Sequence, residues 1–463
     1  MKNTYNRFYN LLFVLAPWVI MAGMLQVNFQ KFLPYQRIFK GPNFFDYFTV
    51  TDIFVTLLVG FLAYGLVSGA IKFNKRELPL ELKIAAVLLM AAGLMQVLFQ
   101  RIYEPVLSTP TEYFRMLFIF PLIFTVLLFR TTEEATAEKL VKSYMLTATF
   151  FSILALIQYL FGVFPGEQYD FMKRLTWPYL DFVTLKSSSA NWAAFFVTPA
   201  VIFSFIKIVN SFKKVDFGGD FLIYNGGLFL SAITLYLTQS YGAFVAVFVA
   251  LTLYFFRFFK TKGFIIAFTL LLFAAGAIYA IQSGTYKYMV LTNQVHYRYQ
   301  NSVASRGDIM KMNLAMISAH PFLGVGLNQY QSYFSANQKA ILGYQYGELQ
   351  PPPHAHNFFL SMWTSLGFFG FLGMLILAAG LLWRSGFKPD QPAVFIFIAI
   401  MIHGLIDSYY WRQETAYIFW MVVALSYIYS ITSERKRSHQ DPMVAPKKIK
   451  VAAKENERIA VKF

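Results

Sequence analysis

Pro351-Pro352-Pro353-His354-Ala355-His356-Asn357 runs directly into an apolar stretch at 357–382. The prolines stiffen the approach, and His356 and Asn357 fall at the N-terminus of the helix that the stretch predicts. The positive end of a helix disfavours imidazolium and favours a bound anion. A neutral histidine beside an anion is what a general base acting next to a phosphate requires. The plainer alternative is that His356 caps the helix and faces water. His354 reads as a loop residue. Two histidines two apart, with no carboxylate beside them in the sequence, make a poor metal site, so no metal is expected.

The connection that ends in those histidines, residues 282–355, carries Lys287, Arg298, Arg306, Lys311 and Lys339 against Asp308 and Glu348, a net charge of +3. Its length predicts a piece with structure of its own. Ser305-Arg306-Gly307-Asp308 precedes Ile309, Met312, Leu314, Ala315 and Ile317, spaced as one helical face, with Ser305 as the expected N-cap and Asp308 three residues on. His320-Pro321 ends that helix. Phe322-Leu323-Gly324-Val325-Gly326 then predicts a tight turn in which glycine supplies positive φ. Tyr330, Tyr333, Tyr344 and Tyr346 lie in the same connection, where they either stack on sugars or fill a small loop core.

These residues sit within a chain of 463 residues that is 57% hydrophobic and only 14% charged, with no cysteine and a formal charge of +17. That balance excludes an ordinary soluble enzyme, and the missing cysteines exclude disulfides and thiolate chemistry. Twelve apolar runs approach the roughly 20 residues a spanning helix needs. They lie near 8–27, 50–71, 84–99, 113–129, 143–163, 189–206, 221–238, 241–259, 263–281, 357–382, 391–408 and 413–431. The run at 221–238 is the weakest, broken by Asn225, Gly226 and Gly227. That at 8–27 follows Lys2 and Arg7 without a clear cleavage site and is expected to remain as the first span. The expectation is an all-α integral membrane domain over 1–431 with about twelve spans, followed by a polar tail, 432–463, with nine basic and four acidic residues. Most Lys and Arg lie in alternate short connections and the tail, which predicts cytoplasmic termini and places 282–355 on the far side of the membrane. Anionic lipid is the expected contact of the tail, not nucleic acid, because no aromatics are interleaved with its charges. Asp52, Arg115 and Asp407 lie near span ends, where snorkelling accounts for them. The shortage of mid-span charge weakens a transporter or flippase reading.

His356-Asn357, nine residues, then Gly367 and Gly370 resembles the His-Asn-x9-Gly-x-x-Gly signature of bacterial O-antigen ligases. The order Arg306, helix, Pro321-x-x-Gly324-x-Gly326, then histidine resembles the preceding segment in those ligases and in the related O-antigen polymerases. Asn191 followed by Ala193 is similar to an Asn-x-Ala element of the superfamily. Thr238-Gln239-Ser240-Tyr241-Gly242 is similar to its Thr-x-Ser-Arg-Gly element, with Tyr241 in the arginine position.

The resemblance implies an inverting glycosyltransferase without metal or cofactor. Its donor would be a glycan on undecaprenyl pyrophosphate, and its site would face the periplasm of a bacterial inner membrane. The acceptor it implies is the lipid A-core sugar for a ligase, or a second lipid-linked glycan for a polymerase. His356 would take the acceptor proton and Arg306 would bind the pyrophosphate. Asn357, Asn191 and Tyr241 would line the pyrophosphate or glycan. Gly324, Gly326 and Gly367 would shape the turn. The cation missing at Tyr241 would be replaced by Arg298, Lys287 or Arg174.

Overall fold

A computed structural model describes residues 2–24, 50–70, 76–99, 113–161, 190–214, 218–259, 295–344 and 352–440, with a few short pieces between them. Its helices are α1 (Lys2–Met24), α2 (Val50–Val67), α3 (Leu80–Phe99), α4 (Phe120–Thr131), α5 (Glu134–Phe161), α6 (Ala190–Lys214) and α7 (Gly219–Thr238). They continue as α8 (Tyr241–Phe259), α9 (Val295–Ala319), α10 (Tyr330–Leu342), α11 (Phe358–Ser385), α12 (Pro392–Gly404) and α13 (Gln413–Gln440). A π-helical turn, Arg115–Ile119, leads into α4, and a single 3-10 turn, Tyr409–Trp411, joins α12 to α13. Two-residue strands, Gln168–Tyr169 and Met172–Lys173, pair antiparallel in the α5–α6 connection.

The expected all-α membrane architecture is present. Eight of the helices, α2, α3, α5 to α8, α11 and α13, are long and apolar enough to cross a membrane, and two shorter apolar helices, Arg7–Gly23 and Pro392–Gly404, lie beside them. The run at 263–281 falls almost wholly outside the described residues, so the count of twelve is neither met nor refused. The weak run at 221–238 is an unbroken helix. Asn225 donates to its own backbone at Phe221 O (2.7 Å), and Gly227 lets α7 close on Met145 and Ser204. An amide satisfied within the helix and a small residue at the contact make both positions compatible with lipid surroundings.

α13 is the central post. It packs against α1, α4, α5, α6, α11 and α12, and 89% of its apolar window is buried. α2 and α3 instead present Leu57, Val87 and Leu94 outward, the apolar outer faces that a bilayer covers. α13 continues to Gln440, into the first residues of the expected polar tail. At one end of the helical body Arg384 pairs with Glu81 (2.8 Å) and Arg76 donates to Thr132 O (2.9 Å). The opposite end carries the histidines.

Between α8 and α11, the structured piece expected in 282–355 is a pair of helices, α9 and α10, with a small core of its own. Ile309, Met312, Met316, Val325, Tyr330, Tyr333 and Phe334 form it with Ala355. Tyr330 and Tyr333 are therefore core residues, and Tyr330 donates to Asn313 Oδ1 (2.7 Å). α9 starts at Val295, ten residues before the expected cap. Ser305 thus lies inside the helix, because the polar stretch before it continues the helix instead of breaking it. The helix ends at Ala319, directly before His320-Pro321, as the proline requires.

Candidate active site

α11 begins where the sequence places it, but its cap is Asn357, not His356. Asn357 is extended (φ −152°), its side-chain oxygen accepts from Leu360 N (3.0 Å), and its amide donates to Leu405 O (3.0 Å). Both ends of this side chain are used in joining α11 to the end of α12. His356, one residue earlier, has φ +47°. A non-glycine residue in the left-handed region costs about 1–2 kcal/mol, and such strain persists only where the surroundings fix the chain on both sides. They do so here. Ala355 is buried in the α9–α10 core, with its carbonyl accepting from Asn313 Nδ2 (3.1 Å). Phe358 is buried against Tyr409, their rings parallel at 5.9 Å.

What faces His356 comes from 51 residues downstream. Its Nδ1 lies 3.1 Å from Asp407 Oδ1. The same oxygen accepts from Ser408 N (2.8 Å), and Asp407 Oδ2 accepts from Asn191 Nδ2 (2.5 Å) at the start of α6. Tyr409 locks this segment by stacking on Phe195 of α6 at 4.1 Å as well as on Phe358. His354 Nε2 lies 3.8 Å from Asp407 Oδ1, beyond hydrogen-bond reach but close enough for charge to be felt. Burial works against ionisation of Asp407, but His354 and His356 outweigh it and hold the carboxyl well below its usual range. Burial pushes the His354 pKa down, offset in part by Asp407. An ionised carboxylate only accepts hydrogen bonds, so it fixes the His356 proton on Nδ1 and leaves the Nε2 lone pair available. That lone pair belongs to a base oriented by a carboxylate, the arrangement used to take a proton from a hydroxyl.

Asp407 overturns two readings of the sequence. It does not snorkel at a span end: it is 8% exposed, with both oxygens bonded. Nor are the two histidines without a carboxylate, because His354, His356 and Asp407 place their ligand atoms within 4.8 Å of one another. Asp52, the other acidic span-end residue, is also fully buried and accepts from Gln413 Nε2.

The glycines of the sequence motifs interlock. α11 breaks at Gly367 (φ +71°), and the turn after α9, with Gly324 at φ +68° and Gly326 at φ +113°, enters the break. Val325 N donates to Thr364 O (2.6 Å), Phe368 N to Pro321 O (3.1 Å) and Trp363 Nε1 to Pro321 O (2.9 Å). Gln96 of α3 donates to Leu323 O. A Cβ on Gly367 would stand 1.9 Å from Phe322 O, and one on Gly324 2.4 Å from Thr364 O. Gly367→Ala is therefore expected to cost more than about 3 kcal/mol, since backbone must move and φ is positive. Thermal unfolding of the purified protein checks it, and an unchanged midpoint would refute the interlock.

The other expected residues divide. Asn191 is brought to the cluster as a partner of Asp407. Tyr241 is 62% exposed and turns outward, while the neighbouring Gly242 packs against His403 Cδ2 (3.0 Å to an added Cβ). Arg306 is exposed on α9. Arg298 lies in α9, but its side chain, together with Lys287 and Arg174, is outside the described residues. Arg412, which the sequence did not single out, stacks over Trp192, the neighbour of Asn191, at 4.7 Å. It also pairs with Glu414 (3.0 Å).

Residues 226–375 match a family model described as O-antigen ligase. The match runs from within α7 through the glycine break of α11 and includes His356. Over that stretch the chain is similar to the O-antigen ligases, which supports the superfamily of O-antigen ligases and polymerases. No curated protein matches the chain.

Proposed function

We propose that the chain transfers a glycan from undecaprenyl pyrophosphate to the lipid A-core sugar at the periplasmic face of a bacterial inner membrane. The observation that carries this reading is the Asp407–His356 pair (3.1 Å), at the end of the helical body opposite Arg76 and Arg384. The excess of basic residues in alternate connections supports cytoplasmic termini, with the histidines on the outer side.

His356 Nε2 takes the proton of the acceptor hydroxyl as its oxygen bonds to the anomeric carbon. The bond from that carbon to the pyrophosphate oxygen breaks, so a single displacement inverts the centre. Pyrophosphate leaves readily, and the protein's tasks are to align the hydroxyl, accept one proton and hold the growing negative charge. Arg306 is assigned the charge, as its planar fork meets two phosphate oxygens at once. The second cation, in place of the arginine absent at Tyr241, is assigned to Arg298, Lys287 or Arg174. Asp407 orients His356 and stabilises the imidazolium that forms.

The test is His356→Ala in the native host, with membrane expression confirmed and surface and lipid-linked glycans separated on a gel. Bare lipid A-core with long glycan retained on the carrier is the expected result. Surface material capped at one repeat unit would assign polymerisation instead. An unchanged pattern would remove His356 from the reaction.

A further inference from the structure

His354 Nε2, His356 Nδ1 and an Asp407 oxygen converge from two loops. All three ligand atoms lie within 4.8 Å of one another, and Asp407 Oδ1 is 3.1 Å from His356 Nδ1 and 3.8 Å from His354 Nε2. Around a tetrahedral ion with metal–ligand distances of about 2.0–2.1 Å, neighbouring donors stand about 3.3 Å apart. The two spacings to Asp407 bracket that value, and the histidine nitrogens, within 4.8 Å of each other, must close toward it as well for the three donors to share one ion. Two imidazoles and a carboxylate are a set that zinc accepts while leaving a fourth position for water.

The supports are rigid. The two histidines flank Ala355, whose carbonyl is held by Asn313, and Asp407 is held by Asn191 and Ser408. His356 is one third exposed (32%), which gives an ion a way in from solvent.

We propose that His354, His356 and Asp407 bind zinc(II), and that zinc bound there switches the transferase off. The second half rests on the function proposed above. Zinc on Nδ1 takes the lone pair left when the His356 proton moves to Nε2, so the ring stays neutral while its tautomer reverses. Nε2 then carries hydrogen and cannot accept the acceptor's proton. The metal–nitrogen bond replaces the Nδ1–H···Oδ1 hydrogen bond, and Asp407 changes from orienting the base to ligating the ion. His354 does not handle the acceptor's proton in the proposed transfer, which makes it the position at which metal binding is best separated from turnover.

The experiment uses the full-length protein in detergent, stripped with a chelator. Titration with cobalt(II) is expected to give the visible absorption of a tetrahedral site at one equivalent, displaced by zinc. His354→Gln and Asp407→Asn are each expected to weaken that binding at least about tenfold. In a transfer assay, saturating zinc is expected to lower wild-type activity at least about tenfold, reversibly with chelator. His354→Gln is expected to lose that sensitivity, its activity with zinc staying within about threefold of its own metal-free rate. No stoichiometric cobalt site, or a site unchanged by both substitutions, would overturn the metal site. Activity that needs or rises with zinc would overturn the inhibition. The titration requires no turnover, so a stripped wild type that binds cobalt but transfers nothing counts against the transferase and not against the site.

Discussion

Asp407→Asn is expected to leave a folded membrane protein whose turnover falls about 10³-fold with little change in the KM for the lipid-linked donor. Asparagine keeps the shape of the site. Its oxygen can still accept from Ser408 N and His356 Nδ1, which now bond to Asp407 Oδ1 at 2.8 and 3.1 Å. Its amide would face Asn191, whose own amide can rotate to meet it. What disappears is charge. When His356 takes a proton, the imidazolium gains roughly 4 kcal/mol from a carboxylate about 4 Å away at an effective dielectric near 20. Each 1.36 kcal/mol is tenfold in rate, which gives about three decades. Asp407→Ala removes orientation as well and is expected to do worse. Steady-state rates with purified enzyme and lipid-linked donor measure both. A rate within tenfold of wild type, or a loss confined to KM, would show that the carboxylate does not act through the base.

The sequence carried the architecture because lipid imposes it. With no water to satisfy backbone groups, apolar runs near the spanning length have little choice but helix, and eleven of the twelve runs coincide with described helices, α4 with its π-helical lead standing for 113–129. The His356 end of the site was equally visible, since prolines, a polar pair and an abrupt apolar run mark a helix start locally. The glycine turn was visible for the same reason, although its partner was not. That the turn enters the break at Gly367 depends on a contact between α11 and the end of α9, and no local pattern encodes it.

Asp407 was hidden for a stronger reason. It reaches His356 only because α11 and α12 lie side by side and return the chain to the same end, so two helix lengths separate the partners in sequence and 3.1 Å separates them in space. Its setting, Asp407-Ser408-Tyr409-Tyr410-Trp411-Arg412, looks like an interfacial hairpin with aromatic anchors. The useful signal was its position. A carboxylate in a connection this short, between two apolar helices, must find partners or be buried unpaired. Arg412 escaped notice in the same way. The cap expected at Ser305 failed because a capping pattern marks where a helix can begin, whereas α9 had already begun in the preceding polar stretch.

His356→Gly and His356→Ala form a pair whose outcomes should agree in one measurement and differ in the other. Both remove the imidazole, so both are expected to lower transfer about 10²–10⁴-fold, the usual worth of a positioned base. Both also leave Asp407 without one hydrogen-bond partner, a loss that cancels in the comparison. Only the backbone differs. At φ +47° alanine bears the left-handed penalty and glycine does not, while glycine pays somewhat more chain entropy on folding. Where φ is positive the first effect wins, and glycine is expected to be the more stable variant by about 1 kcal/mol. The chain cannot relax around alanine, because Asn313 holds Ala355 on one side and the Asn357 cap and buried Phe358 hold the other. Thermal midpoints of the two purified variants, read beside their transfer rates, decide the matter. Equal midpoints would mean that position 356 stores no strain. A glycine variant that still transfers glycan would mean that His356 is not the base, whatever its stability. Lower activity in both, with the midpoint higher for glycine, would mean that the fold spends stability at this residue to hold a base against Asp407.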